Sequence, residues 1–232
     1  MVARGRWGRD LTTVAIVLAP LALLGCFDVQ TVDPGPVIID DFDDGDYLPS
    51  IRGFDIWECL AYNPDTTKSF NCAHQGSPGD YHLSLDFTIV DPSDGAQQHG
   101  GAMLATFASG APVDFSHHKT LIFSGQLQSG SPPLSSDAKL YVEFTCGTAL
   151  GEDGSAVSDF YVLQGVAYSS DWGTFRLSLT NFGPPPWLPR HIAGGTIACL
   201  RLVDGIHFNV DASLPDGATG KGLLSIDNIR FE

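Results

Sequence analysis

The feature that most constrains this chain is a period-two alternation that recurs along nearly its whole length. Tyr81 to Ile89, Lys139 to Phe144 and Thr174 to Leu179 alternate apolar and polar residues cleanly. Thr120 to Gly125, Ile197 to Leu202, Ile206 to Val210 and Leu223 to Phe231 read as further strands. No segment longer than a turn or two sustains an i, i+3, i+4 apolar pattern, so a helical bundle is excluded. Turn chemistry separates the strands: Asp91-Pro92-Ser93-Asp94-Gly95, Ser129-Gly130-Ser131-Pro132-Pro133, Gly151-Glu152-Asp153-Gly154 and Leu214-Pro215-Asp216-Gly217. The pattern predicts about ten antiparallel strands packed as a β-sandwich. No composition break divides residues 37–232, which favours one domain.

The N-terminus follows another logic. Arg4, Arg6 and Arg9 precede an almost uncharged, mostly apolar run from Leu11 to Leu24, and Gly25-Cys26 follows. That order describes a secretory signal. Leu23-Leu24-Gly25-Cys26 resembles the bacterial lipobox, which implies cleavage after residue 25 and lipidation of Cys26. About 14 apolar residues are too few to span a bilayer comfortably. Phe27 after the cysteine leans toward the outer membrane. Residues 26–36 are then the lipidated cysteine and a polar tether, and residues 37–232 the domain.

Cleavage would leave 9 basic and 26 acidic residues, a net charge of −17. A surface this negative repels nucleic acid and anionic lipid; the membrane link is the lipid itself. Neutral or cationic partners, or a divalent metal, are accommodated more easily. Four of the five cysteines lie in the mature chain. An even number in an exported protein reads as two disulfides with three connectivities. The favoured pairing is Cys59–Cys72 as a loop staple and Cys146–Cys199 joining two strands. The alternative, a zinc site, lacks any C-x-x-C spacing.

The two ends of the domain share a further pattern. Ile38-Ile39-Asp40-Asp41-Phe42-Asp43-Asp44-Gly45-Asp46 opens it and Leu224-Ser225-Ile226-Asp227-Asn228-Ile229-Arg230-Phe231 closes it. Between them stand Pro112-Val113-Asp114-Phe115-Ser116, Asp171-Trp172-Gly173-Thr174-Phe175-Arg176-Leu177, Asn181-Phe182-Gly183 with Pro184 to Trp187, and Val203-Asp204-Gly205-Ile206-His207. This order resembles the galactose-binding-like jelly roll, and within it carbohydrate-binding modules. The resemblance implies an all-β jelly-roll sandwich and a non-catalytic domain that binds a neutral glycan. It also implies a structural Ca²⁺ between the N-terminal segment and the last strand, with Asp41, Asp43 and Asp227 as ligands by position. The acidic opening is not an EF-hand, since Gly45 and Arg52 occupy the fifth and twelfth positions counted from Asp41.

Sugar binding needs flat apolar faces beside hydroxyl-pairing groups. Trp57, Tyr62, Tyr141, Tyr161, Tyr168 and Trp187 are the candidates, Trp187 in a stiff Pro-rich loop. Trp172 begins a strand and is expected in the core. Alternation places Tyr141 and Tyr161 opposite Val142, Phe144 and Val162, and both sets are apolar enough to be the core. No catalytic pattern appears. G-x-S-x-G and H-E-x-x-H are missing, and His117-His118 reads as a surface pair pointing to opposite faces. The competing reading is a structural or protein-interaction envelope lipoprotein with no sugar site.

Overall fold

The computed structural model describes residues 29–32, 35–61, 67–90, 99–147, 149–150, 156–157, 160–185, 192–213 and 218–232. Among these, fifteen strands follow in chain order. They are β1 (Gln30–Thr31), β2 (Val37–Asp40), β3 (Glu58–Ala61), β4 (Thr67–Ser77), β5 (Asp80–Val90), β6 (His99–Phe107), β7 (Val113–Asp114) and β8 (Thr120–Ser129). Then come β9 (Lys139–Cys146), β10 (Ala149–Leu150), β11 (Ala156–Val157), β12 (Phe160–Val166), β13 (Gly173–Ser178), β14 (Val203–Ser213) and β15 (Thr219–Phe231). A short helix, α1 (Gly195–Leu200), precedes β14.

Two sheets carry the fold. The first runs β3-β6-β14-β9-β12, antiparallel throughout, with β7 and β1 continuing at the start of β14. The second runs β13-β8-β15-β5-β4, with β2 beside the end of β15. Of the ten long strands, β5, β8, β9, β13, β14 and β15 are ones the sequence pattern predicts and β3, β4, β6 and β12 are not, and the molecule is an all-β sandwich. Gln30 and Thr31, inside the segment expected as a tether, pair in parallel with β7, and the Gln30 N–H donates to the Pro112 carbonyl at 2.9 Å.

Alternation sends one set of side chains from each sheet into a shared core. From the first sheet come Leu104, Val142, Phe144, Val162, Ile206, Phe208 and Val210; from the second, Leu83, Leu85, Phe87, Phe123, Leu127, Leu224 and Ile226. The face left open at Tyr141 and Tyr161 is thereby decided: Val142, Phe144 and Val162 are the core side. Cys59–Cys72 joins β3 to β4 across the two sheets, with Cα atoms 5.7 Å apart. Cys146–Cys199 joins β9 to α1, with Cα atoms 5.1 Å apart.

Three expectations change. Residues 197–202 are not a strand: Gly194 and Gly195, both with positive φ, turn the chain into α1. The helix buries Cys199 and Leu200 and exposes Ile197. An apolar run this short fits either period, and packing against β9 and β12 selects the helix. Trp172 is not in the core; 44% of it is exposed. His118 is not on the surface. It is buried against Phe115 and Phe231, with ring centroids 6.1 and 5.4 Å away, while His117 points out. Burial holds the His118 pKa below the usual histidine range.

Candidate functional site

The outer face of the first sheet is built by register. His207 stands opposite Glu143 on β9 and Ala105 on β6; Asn209 stands opposite Tyr141 and Met103; Gly205 stands opposite Thr145 and Phe107. On β12, Tyr161 faces Thr145, and Gly165 faces Tyr141. All of these alternate with core residues, so their side chains rise on one surface. The Tyr141 ring passes over Gly165, 3.5 Å from where a Cβ would stand.

At the centre is a buried polar group. Glu143, His207 and Asn209 are only 7%, 5% and 3% exposed. Glu143 Oε1 lies 3.1 Å from His207 Nδ1, and Glu143 Oε2 accepts from Asn209 Nδ2 at 3.0 Å. A carboxylate only accepts, so the Nδ1 proton belongs to this contact. In the Nδ1–H tautomer Nε2 is an acceptor, and Asn209 presents Oδ1 as another. Neither atom has a hydrogen-bond partner, although both are buried. Buried polar atoms are normally satisfied, and two side by side without a protein partner are open to water or to a ligand's polar group.

Gly205 makes this arrangement possible. A Cβ there would stand 2.3 Å from Thr145 Oγ1 and 2.8 Å from His207 Nε2. The Phe107 ring meets the His207 ring edge to face at 5.1 Å. Beside them opens a cleft of about 490 Å³ lined by Phe107, Thr145, Tyr161 and Asp204 among others. That volume suits a small ligand or one to two rings of a longer one. Asp204 Oδ1 is a third buried acceptor without a partner.

The sequence candidates separate on this frame. Tyr141 and Tyr161 belong to the face, half-buried. Trp57 does not: it is 2% exposed, and its indole N–H donates to buried Asp40 at 2.8 Å. Its flat ring fills the core against Phe42 and Phe208 rather than offering a surface. Tyr168 packs partly against the core. Tyr62 and Trp187 lie outside the described residues, as do the leader and Cys26. Sequence reasoning missed Glu143, His207 and Asn209 as site residues. The available signal was their polar phase within two apolar strands.

On β15 of the second sheet, the Asp227 carboxylate accepts from the Asn228 backbone N–H and side-chain amide, both at 2.7 Å. Burial raises the Asp227 pKa, and the nearby charges of Asp43 and Asp41 raise it further. The three carboxylates therefore share one neighbourhood. Among the described residues, no three His, Cys, Asp or Glu side chains converge on one point that would hold a metal ion. Any Ca²⁺ there would draw most of its six to eight oxygens from main chain and water.

By sequence, neither a protein-family profile nor a curated protein matches the chain. By structure, it is similar to the family 11 carbohydrate-binding module of the cellulosomal cellulase Lic26A-Cel5E of Clostridium thermocellum. The TM-score is 0.50 and the identity 14%, over 86% of this chain and 95% of that one. It is also similar to the family 11 module from Clostridium thermocellum in complex with a β-1,3-1,4-mixed-linked tetrasaccharide. There the TM-score is 0.51 and the identity 16%, over 86% of this chain and 96% of that one. The chain thus carries a β-sandwich of the carbohydrate-binding-module kind.

Proposed function

We propose that this protein is a non-catalytic glycan-binding module that holds a neutral polysaccharide on the outer face of its first sheet. One observation carries the reading: His207 Nε2 and Asn209 Oδ1 are buried polar atoms without a protein partner at the floor of a face edged by Tyr141, Tyr161 and Phe107. Sugar hydroxyls are donors of the right kind, and the aromatic rings offer apolar surface to the C–H faces of pyranoses. The acidic surroundings, Asp204 and Glu143 included, favour an uncharged chain over a uronate or a phosphate polymer. Glu143 has both oxygens engaged, which suits orienting the floor better than donating a proton in glycoside hydrolysis. The mixed-linked tetrasaccharide bound by a module of similar fold supports the ligand class.

In this proposal the leader directs the module to the bacterial envelope, where a lipid on Cys26 anchors it to the outer membrane. Asp41, Asp43 and Asp227 are the ligands of a structural Ca²⁺ in the same reading. A glycan array probed with the full-length protein tests the function. Neutral glycans should bind, acidic ones should not, and Tyr161→Ala should weaken binding about tenfold with the fold intact. Silence across the array from folded protein would refute the proposal.

A further inference from the structure

The outer face of the second sheet carries a different and independent set of groups. Three rows cross it by register: Ser84–Ser225–Gln126, Asp86–Leu223–Gln128, and Asp227–Ser124–Thr174. Trp172 enters this face just before β13. Its indole reaches across the sheet to meet the His82 ring edge to face at 5.0 Å. With the Gln126 amide turned, Trp172 Nε1 donates to its oxygen at 3.2 Å and its nitrogen donates to the Ser170 carbonyl at 3.1 Å; in the other orientation its oxygen accepts from Gln128 Nε2 at 3.1 Å. The indole is thus held at its edge by two contacts while 44% of its surface stays in solvent. The exposed indole thus stands, fixed at its edge, among the polar side chains of Gln126 and His82.

We propose that this face is a second glycan-binding surface, with Trp172 as its stacking platform and the side chains of Gln126, Gln128 and His82 as its hydroxyl partners. Charge selects the occupant. Asp86 borders the platform, Lys221 lies further along β15 on the same face, and the cation on β13, Arg176, is paired with Glu232 at 2.8 Å. A nucleic acid, a uronate chain or an anionic lipid is repelled, whereas a neutral polyol donates its hydroxyls to carboxylates and amides alike. Burial keeps His82 below the usual histidine range, so it adds no positive charge near neutrality. Holding the indole in advance removes part of the entropy cost of ordering it on binding. Two sites on opposite faces of one sandwich let a single chain cross-link glycan strands.

The test uses full-length protein in detergent, with soluble mixed-linked β-glucan as the neutral probe and polygalacturonate as the anionic one. Four proteins are compared by isothermal titration: wild type, Trp172→Ala, Tyr141→Ala with Tyr161→Ala, and all three together. Gln126→Ala serves as a second, milder variant of the new surface. Binding that persists in the tyrosine variant and falls about tenfold or more on adding Trp172→Ala supports the second surface. Wild type should also precipitate the glucan, and Trp172→Ala should not. If Trp172→Ala and Gln126→Ala bind and precipitate as wild type while the tyrosine variant loses all binding, the second surface is overturned and the first stands. If no protein binds the glucan, both are overturned. If Trp172→Ala leaves glycan binding unchanged but dissociates a dimer in sedimentation, the occupant is a second copy of the chain and the proposal fails. Tighter binding of polygalacturonate than of glucan also overturns it.

Discussion

Replacing Asp40 with Asn should flatten the pH dependence of stability. Asp40 is 1% exposed, with Trp57 Nε1 donating to Oδ2 at 2.8 Å and the Phe42 N–H donating to Oδ1 at 2.9 Å. Burial dominates these bonds and pushes its pKa from 3.8 up to about 7, with Asp44 and Asp41 adding to the rise. Between those two values the native state binds a proton that the unfolded chain has released. Stability therefore falls as pH rises through this window and levels off above it. At about 1.36 kcal/mol per unit, the full penalty is about 4 kcal/mol, of which about 3 kcal/mol develops between pH 4.5 and 8.5. The Asn side chain cannot ionise, but its NH₂ faces one of the two donors and leaves it unmet, at about 1–3 kcal/mol. Asp40→Asn should thus be the less stable protein at pH 4.5, and should match or exceed wild type at pH 8.5. Urea denaturation at both pH values, followed by tryptophan fluorescence and far-UV circular dichroism, measures the difference. Taking variant minus wild type cancels other titrating groups, among them His118, whose buried neutral ring works in the opposite direction. A pH-dependent change in that difference below about 1 kcal/mol, or of opposite sign, would show that Asp40 does not bind its proton more tightly in the native state than in the unfolded one.

Two further outcomes follow from the same geometry. Gly205→Ala should cost about 1–3 kcal/mol and abolish glycan binding, because its Cβ would collide with Thr145 Oγ1 and His207 Nε2; a variant that melts and binds as wild type contradicts the description of the floor. Millimolar calcium should raise the melting temperature relative to chelator through Asp41, Asp43 and Asp227, and an unchanged melt would remove the ion from the account.

The strands at 81–89 and 139–144 were legible because each has one wet face and one dry face, which the alternation records, and those at 120–125 and 223–231 as apolar runs bounded by turns. β6 was not. His99-Gly100-Gly101-Ala102-Met103-Leu104-Ala105 carries small residues on both faces, and its neighbours supply the burial. The half-sheet face at Tyr141 and Tyr161 was visible as a choice of two, which only the opposing sheet resolves. The pairing of Glu143 with His207 was out of reach, since 64 residues separate them and register alone joins them. Trp57 and Trp172 exchanged roles for a related reason. Both stand near strand beginnings, and the buried Asp40 acceptor that draws Trp57 inward comes from a segment read only as an acidic turn.

The most direct measurement is hydroxyl-radical footprinting of the full-length protein with and without saturating mixed-linked β-glucan. Tyr141, Tyr161, Met103 and Phe107 on the first sheet should be protected, with Tyr47 and Tyr168 unchanged. A saturated complex in which Tyr141 and Tyr161 remain as reactive as in the free protein would contradict the central claim.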